Sequence, residues 1–347
     1  MGVGACAPET APGPLDAAAD VWQEGPELPE PIANQAVAAV EVAGRVAVFS
    51  FLGIDSTKVW SGVTNRAFRW DMGDDAWRVI DPVPGPGRLA PTTVVVDGLV
   101  YVIGGYTVAA DGSESSTPHV NVYDPGSESW TRVADIPVPA DDAISGVTND
   151  GRIVLVSGWH DRGNVPDVQI YDPVTDVWSQ STPIPGPPVF GHSGTVVGDQ
   201  VVYVDGVAVV NDDPRFQLAA GSWGGTIGPV GVEWGALPEH PGPALYRAAA
   251  GAVGNVALIL GGSDNPYNYN GVGYDGVPAE PIRQLLAFLP GAGEWRNLVA
   301  PPVATMDHRT LGVAGGFVFL VGGMESGQRV SSRVWLAPID RLLEGLH

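Results

Sequence analysis

The residues of this sequence best suited to chemistry are histidine, aspartate and arginine side chains that precede apolar strands. His308 stands between Asp307 and Arg309, and His192 follows Gly191. An imidazole titrates near neutral pH, so it can carry a proton to or from a ligand. We therefore predict that His308, His192 and Asp307 are catalytic, although a single histidine before a strand more often serves as a local hydrogen-bonding group.

Three arginines occupy similar places in a chain whose formal net charge is -22, namely Arg88, Arg247 and Arg309. A guanidinium donates two parallel hydrogen bonds to a carboxylate, so we expect the three arginines to converge on a carboxylate of a ligand. The alternative is that they neutralise internal carboxylates, namely those of Asp141, Asp142 and Asp307. Both arrangements can hold at once.

A segment rich in tyrosine and asparagine, residues 263–270, offers a different chemistry. Tyr267 and Tyr269 supply flat aromatic faces and Asn268 supplies an amide, groups that suit the apolar and hydroxylated faces of a sugar. The alternative is a turn-rich loop whose tyrosines pack on prolines. We expect further substrate contacts from three other side chains: Tyr246, Asp142 and His160.

Several other chemistries are not indicated. The sequence has no His-x-x-x-His or Cys/His pattern, no glycine-rich phosphate loop and no Gly-x-Ser-x-Gly motif, so we predict neither a metal nor a cofactor. Lys58 is the only lysine, and the acidic charge disfavours nucleic acid and anionic membranes as partners. No run of 18 apolar residues occurs, so no segment is predicted to span a membrane.

The elements that must position these residues follow from an internal repeat. Six tryptophans are each followed 28 residues later by a small residue. The pairs are Trp22 and Ser50, Trp77 and Gly105, Trp130 and Gly158, Trp178 and Gly206, Trp234 and Gly262, and Trp295 and Gly323. Apolar β-branched runs and tight turns such as Asp97-Gly98 lie between them, and an aromatic residue stands seven positions before most of the tryptophans. Each repeat therefore predicts two β-hairpins, that is, four antiparallel strands.

Three repeats depart from this pattern. The diglycine is replaced by Phe49-Ser50 in the first, Ser157-Gly158 in the third and Asp205-Gly206 in the fourth, where Ile227 also replaces the aromatic residue. The diglycine and the aromatic-to-tryptophan pair resemble the blade of kelch-repeat proteins. The resemblance implies an all-β, six-bladed kelch-type β-propeller over residues 21–340. The last repeat lacks a fourth strand, so we expect the N-terminal strand around Trp22 to close the sixth blade.

The composition of the chain ends differs from that of the repeat. We predict a flexible tether over residues 1–20 and a C-terminal tail over residues 341–347. Cys6 ends the sequence Val3-Gly4-Ala5-Cys6, which resembles the end of a bacterial lipoprotein signal and predicts a lipid anchor and a periplasmic or cell-envelope location. An incidental cysteine in a terminal segment is the alternative. We expect the protein to be a monomer.

Among six-bladed kelch proteins, the chain most resembles the bacterial N-acetylneuraminate epimerases, or sialic acid mutarotases. The likeness is strongest where Gly261-Gly262 leads into the tyrosine-rich loop and where a short segment ends in Arg309. It implies a cofactor-independent mutarotase or epimerase for an acidic sugar. In that family a glutamate is expected near Asp205-Gly206-Val207, where this chain has none. The alternatives are a non-catalytic propeller that binds a glycan or a protein, and a lyase acting on uronic acids.

Overall fold

The computed structural model describes residues 14–346 and contains six four-stranded antiparallel sheets. The first strands of consecutive sheets contact one another, and that of the sixth contacts that of the first, so the six blades close into a ring. This confirms the predicted six-bladed β-propeller.

The strands of each blade, from the axis outward, are Ala36–Val42, Arg45–Phe51, Ala67–Asp71 and Arg78–Ile80 in blade 1; Thr92–Val96, Leu99–Ile103, Val120–Asp124 and Ser129–Arg132 in blade 2; Ile144–Val147, Ile153–Val156, Val168–Asp172 and Val177–Gln180 in blade 3; Ser193–Val197, Gln200–Val204, Ser222–Gly228 and Gly231–Ala236 in blade 4; Ala249–Val253, Val256–Leu260, Leu285–Leu289 and Glu294–Asn297 in blade 5; and Gly312–Ala314, Phe317–Val321, Val334–Pro338 and Gln23–Glu24 in blade 6.

The N-terminal strand closes blade 6 as predicted. Gln23 pairs with Leu336 and Glu24 with Trp335. The indole of Trp22 is buried, and its Nε1–H donates to the carbonyl oxygen of Val299 at 2.7 Å. Pairing the two ends of the chain in one sheet removes the free strand edges that an unclosed ring would expose.

A short helix stands near each end of the described residues. Helix α1, Pro14–Val21, takes up residues assigned to the tether, because an alanine-rich segment favours helix and its buried Ala18 accepts a hydrogen bond from the N–H of Trp22. Helix α2, Ile339–Leu342, packs Leu342 on the core between blades 5 and 6. Residues 1–13, with Cys6 and the predicted anchor, and residue 347 lie outside the described residues. No helix within 14–346 is long and apolar enough to cross a membrane.

The diglycines let neighbouring blades approach closely, as the repeat predicted. Gly104 and Gly105 both have positive φ, at 64° and 87°. A Cβ on Gly104 would overlap the carbonyl oxygen of Ala140 in the next blade, and one on Gly105 would lie 2.7 Å from that of Leu89. A side chain at either position is therefore excluded both by the backbone conformation and by the space between blades.

Two assignments made from the repeat were wrong. In blade 1 the diglycine position is Leu52-Gly53, not Phe49-Ser50, because its first hairpin has seven-residue strands that move the turn outward. In blade 4 the residue opposite Trp234 is Gly225, not Ile227, because the second hairpin extends beyond that pair. A Cβ on Gly225 would lie 2.6 Å from the Trp234 ring, so the indole packs directly on the glycine.

The loops between second and third strands gather on one face of the ring, together with the segments that lead into the first strands. We call this the upper face. Four blades form short two-stranded ribbons there: Tyr106–Val108 with Glu114–Ser116, Trp159–His160 with Gly163–Asn164, Val207–Val209 with Phe216–Leu218, and Met324–Glu325 with Arg329–Val330. Blade 1 has a 3₁₀ turn at Trp60–Gly62, and blade 5 carries its long loop.

Candidate functional site

A ring of residues with positive φ surrounds the axis at the upper face. Its members are Asn34, Ala90, Asp142, Gly191, Arg247 and Asp307, one from each blade. In five blades the N–H of this residue donates to the carbonyl oxygen of its counterpart in the preceding blade, and in blade 6 the N–H of His308 donates to Arg247. This closed belt of backbone hydrogen bonds fixes the side chains beside the axis.

Two arginines and two aspartates of this region form a buried ion cluster, together with Asn34. Arg247 holds Asp142 with two hydrogen bonds, from Nε at 3.1 Å and from Nη2 at 2.6 Å, and its Nη1 lies 3.4 Å from Asp307 Oδ1. Arg309 also contacts Asp142, and its Nη2 donates to Asn34 Oδ1 at 3.1 Å. The two guanidiniums and two carboxylates balance in charge. Arg247 and Arg309 thus neutralise Asp142 and Asp307, as the alternative interpretation stated, but they form no ion pair with Asp141.

The pKa values of the two carboxyl groups in the cluster are shifted in opposite directions. Burial alone would raise the pKa of Asp142, but the charges of Arg247 and Arg309 outweigh it and lower that pKa. At Asp307 burial dominates and raises the pKa despite the same two arginines. Asp142 is therefore the firmly ionised member of the pair.

Arg88 does not join the other two arginines, contrary to the expectation that all three converge. Its side chain is fully buried, and it donates to Gly104 O at 2.9 Å and to Asn121 Oδ1 at 2.8 Å. Burial lowers its pKa to about 10. Arg88 thus ties the strands of blade 2 together and has no path to a ligand at the axis.

The two histidines predicted to be catalytic are buried hydrogen-bonding residues. His192 Nε2 lies 3.1 Å from Val156 O, and His308 Nε2 lies 2.7 Å from Thr305 Oγ1. Burial lowers the pKa of His192 to about 4 and that of His308 to about 3, so both rings are neutral at pH 7. Neither lines the cavity at the upper face that is described below.

A cavity of about 350 Å³ opens on the upper face beside the ion cluster. This volume lies within the range of about 300–1,000 Å³ that is typical of small-molecule sites. Blades 2, 3, 4 and 5 supply its lining, which comprises Tyr106, Gly112, Glu114, Asp141, Asp142, Trp159, Asp161, Phe190, Phe216, Arg247, Asn268 and Tyr274.

Aromatic rings form much of the cavity wall. Trp159 lies 5.4 Å from Phe190, Phe190 lies 5.8 Å from Phe216, and Phe216 lies 4.4 Å from Tyr274, measured between ring centroids. Most of these rings were missed in the sequence. The signal was available, because Trp159 and Tyr106 each directly follow a diglycine position, where the chain turns onto the upper face.

Two residues of the cavity with carboxyl groups, Asp141 and Glu114, were not predicted from the sequence to take part in catalysis. Asp141 is buried, and its Oδ2 accepts a hydrogen bond of 2.5 Å from Ser116 Oγ. Burial raises the pKa of Asp141 well above its usual range, and the neighbouring charge of Asp142 adds to the effect. Glu114 stands at the cavity mouth, where burial raises its pKa against the pull of Arg247. The pKa values of the neighbouring Asp141 and Asp142 are therefore shifted in opposite directions.

The predicted substrate-contacting residues divide between the cavity and its surroundings. Asn268 lines the cavity, while Tyr246 and Tyr267 are buried beside it with their rings 4.8 and 5.3 Å from the Arg247 guanidinium. Tyr269 is partly buried near Glu114, and His160 lies on the blade 3 ribbon without lining the cavity. Within residues 14–346, no group of three or more His, Cys, Asp or Glu side chains could hold a metal ion.

Comparisons with known proteins agree with the observed fold. Residues 87–137 match the Kelch motif. The Kelch-like protein terF of Aspergillus terreus is 27% identical over 146 residues, covering 41% of this chain and 31% of that protein. Kelch-like protein 35 of Mus musculus is 28% identical over 149 residues, covering 43% of this chain and 22% of that protein. This chain thus spans less than a third of either relative.

A solved structure gives a more complete match. The structure of YjhT superposes with a TM-score of 0.71 and covers 89% of this chain and 95% of that chain, at 17% sequence identity. The structural match covers most of this chain, whereas each of the two sequence relatives matches less than half of it. At this level of identity the comparison establishes the shared fold.

Proposed function

We propose that this chain, a six-bladed kelch-type β-propeller, binds a sugar in the upper-face cavity and interconverts its anomers without a cofactor. The observation that carries the proposal is the cavity itself, in which aromatic walls surround two neighbouring carboxyl groups, Asp141 with a raised pKa and Asp142 with a lowered one. Neighbouring carboxyl groups with diverging pKa values are a common arrangement for acid–base work. The resemblance to N-acetylneuraminate epimerases supports the same class of reaction.

The cavity groups account for each proton of such a reaction. Asp141 donates its proton to the ring oxygen while Glu114 accepts the proton of the anomeric hydroxyl, so that the bond between the anomeric carbon and the ring oxygen breaks. Rotation and closure on the other face return both protons. The raised pKa of Glu114 makes its carboxylate a better base than an ordinary surface glutamate. His308, His192 and Asp307 are not needed for these steps.

The structure does not support the expectation that the sugar is acidic. That expectation depended on arginines free to bind a ligand carboxylate. Arg88 is remote, and Arg247 and Arg309 are held by Asp142. We therefore propose a sugar ligand whose recognition does not rest on a carboxylate.

Anomer exchange in freshly dissolved monosaccharides, followed by one-dimensional NMR, tests the proposal. The protein should accelerate exchange for at least one sugar, and Asp141→Asn and Glu114→Gln should each reduce the acceleration by about 10²-fold or more. Asp172→Asn is a matched control, because Asp172 caps an exposed turn in the same blade as Asp141. Full activity in Asp141→Asn would contradict the assignment of the acid.

Two alternatives predict different outcomes. A non-catalytic propeller would bind a sugar or a protein at the same cavity without accelerating exchange. A lyase would need a deprotonated tyrosine or histidine, yet burial raises the pKa of Tyr106 and Tyr246 well above the usual range and keeps them protonated. A uronate lyase would also create an unsaturated product, which is detected by its ultraviolet absorbance.

A further inference from the structure

The cavity has more negative than positive side chains. Glu114, Asp141, Asp142 and Asp161 are its acidic lining residues, and Arg247 is its basic one. Arg215 lies outside this lining, above the Phe216 ring at 5.5 Å, and is exposed. The ion cluster itself is balanced in charge, so the acidic excess comes from the other lining residues, Glu114, Asp141 and Asp161.

The single lining arginine is not available to an incoming anion. Its Nε and Nη2 are both held by Asp142, and Nη1 faces Asp307. The rings of Tyr246 and Tyr267 cover the guanidinium. An anionic ligand would have to displace Asp142 and leave it buried without its partner, which is unfavourable.

Asp141, in contrast, has no cationic partner. Its carboxylate accepts one side-chain hydrogen bond, from the Ser116 hydroxyl, while its backbone pairs with Trp159. Burial without a positive neighbour favours the protonated form of a carboxyl group, whose carbonyl oxygen can still accept a hydrogen bond from an ammonium group. The cavity thus offers an incoming ammonium group an acceptor that forms no ion pair with the arginines of the cluster.

The aromatic wall favours the same charge. The negative π-faces of aromatic rings attract cations, and ammonium ligands are commonly held by several rings combined with carboxylates. Trp159, Phe190, Phe216 and Tyr274 are packed edge to face or tilted around the cavity. Apolar ring faces and acidic groups therefore occur together in one site.

From this arrangement we infer that the cavity binds a ligand carrying a protonated amine, with the cation between Asp141, Glu114 and the aromatic wall. In combination with the proposed function, on which this identification rests, the substrate class is an amino sugar with a free amine. An acetylated or carboxylated sugar lacks the charge that the cavity selects.

Isothermal titration calorimetry with four related sugars tests the inference. Glucosamine carries the amine, glucose is neutral, N-acetylglucosamine has the amine masked, and glucuronate is an anion. Glucosamine should bind at least tenfold more tightly than any of the others. Equal or tighter binding of N-acetylglucosamine or glucuronate would overturn the inference while leaving a sugar-binding function in place.

Tetramethylammonium separates the two proposals further, because it is a permanent cation without a sugar. Its binding together with failure of all four sugars would support the cation site and refute the sugar function. Failure of both glucosamine and tetramethylammonium would refute the cation site. The affinity for tetramethylammonium should fall as the pH is lowered and Glu114, whose pKa burial raises, becomes protonated.

Matched variants locate the binding. Glu114→Gln and Asp141→Asn should each weaken glucosamine binding about tenfold or more, and Asp172→Asn should leave it unchanged. Glu114 is exposed on its ribbon, so its variant tests the inference without changing a buried residue. Unchanged affinity in Glu114→Gln would place the cation elsewhere and overturn the inference.

Discussion

The ion cluster at the axis gives the sharpest test of the fold energetics. Asp142→Asn removes one negative charge from a site where it holds Arg247 and Arg309, all three being buried. Two guanidiniums would then share Asp307 as their only carboxylate. Removal of one partner from a buried ion pair costs about 3–5 kcal/mol, because a buried charge is left uncompensated. We expect Asp142→Asn to lower the free energy of unfolding by this amount.

Urea denaturation of the purified protein measures the loss, with Asp135→Asn as the control. Asp135 pairs with Arg132, but both side chains are close to half exposed, at 48% and 44%. An exposed pair contributes about 0–1 kcal/mol, since water already solvates both charges. The two substitutions make the same chemical change, so the difference between them reports the burial of the cluster.

A double variant distinguishes charge balance from simple loss of contacts. Asp142→Asn combined with Arg309→Met leaves Arg247 and Asp307, one charge of each sign. If uncompensated charge is the cause, the double variant should be within about 1 kcal/mol of the single variant or more stable than it. If the losses merely added, the total would reach about 6–10 kcal/mol. Such additivity would refute the interpretation of the cluster as a balanced unit.

Three further predictions concern pH and packing. The raised pKa of Asp141 makes the folded protein lose stability as the pH rises from about 4 through that pKa. In urea titrations, Asp141→Asn should therefore be more stable than the wild type at pH 8 and not at pH 4. Gly261→Ala places a Cβ against the backbone carbonyl of Thr305, whereas a Cβ at Gly254 meets nothing within 4 Å. Because both glycines have positive φ, the two variants share the backbone strain, and thermal unfolding should show an extra cost of about 1–3 kcal/mol for Gly261→Ala. Burial opposes protonation of His240, but its bond to Asp205 outweighs burial and raises the pKa, so His240→Gln should cost more at pH 5.5 than at pH 9 in urea denaturation.

The fold was predictable because propeller blades repeat local rules. Each tryptophan stands in or directly before the fourth strand of a blade, and each diglycine position follows a second strand. The spacing alone therefore indicated the number of blades and the closing strand at Trp22. The two wrong assignments have a common cause. Blades 1 and 4 lengthen a hairpin, and fixed offsets from Trp22 or Trp234 cannot detect residues added in pairs across a turn.

The contents of the site were harder to predict, because they depend on which blades meet across the axis. Arg247 of blade 5 pairs with Asp142 of blade 3, a separation of 105 residues, and Arg309 of blade 6 reaches the same carboxylate. In the sequence these residues differ little from Arg88, which also precedes a first strand. Their positions relative to the ring of positive-φ residues differ. Arg247 is itself a ring residue, whereas Arg88 lies two residues before Ala90, the ring residue of blade 2. The guanidinium is then directed into the blade instead of toward the axis.

The charge that a ligand meets is therefore what remains after internal pairing. Counting arginines near strand starts suggested a site for anions, but pairing removes Arg247 and Arg309 from the balance together with Asp142 and Asp307. What remains at the cavity is Glu114, Asp161 and Asp141, beside aromatic rings. Two residues next to each other in sequence consequently have different roles: Asp142 holds the arginines at the axis, and Asp141 lines the cavity without an arginine partner.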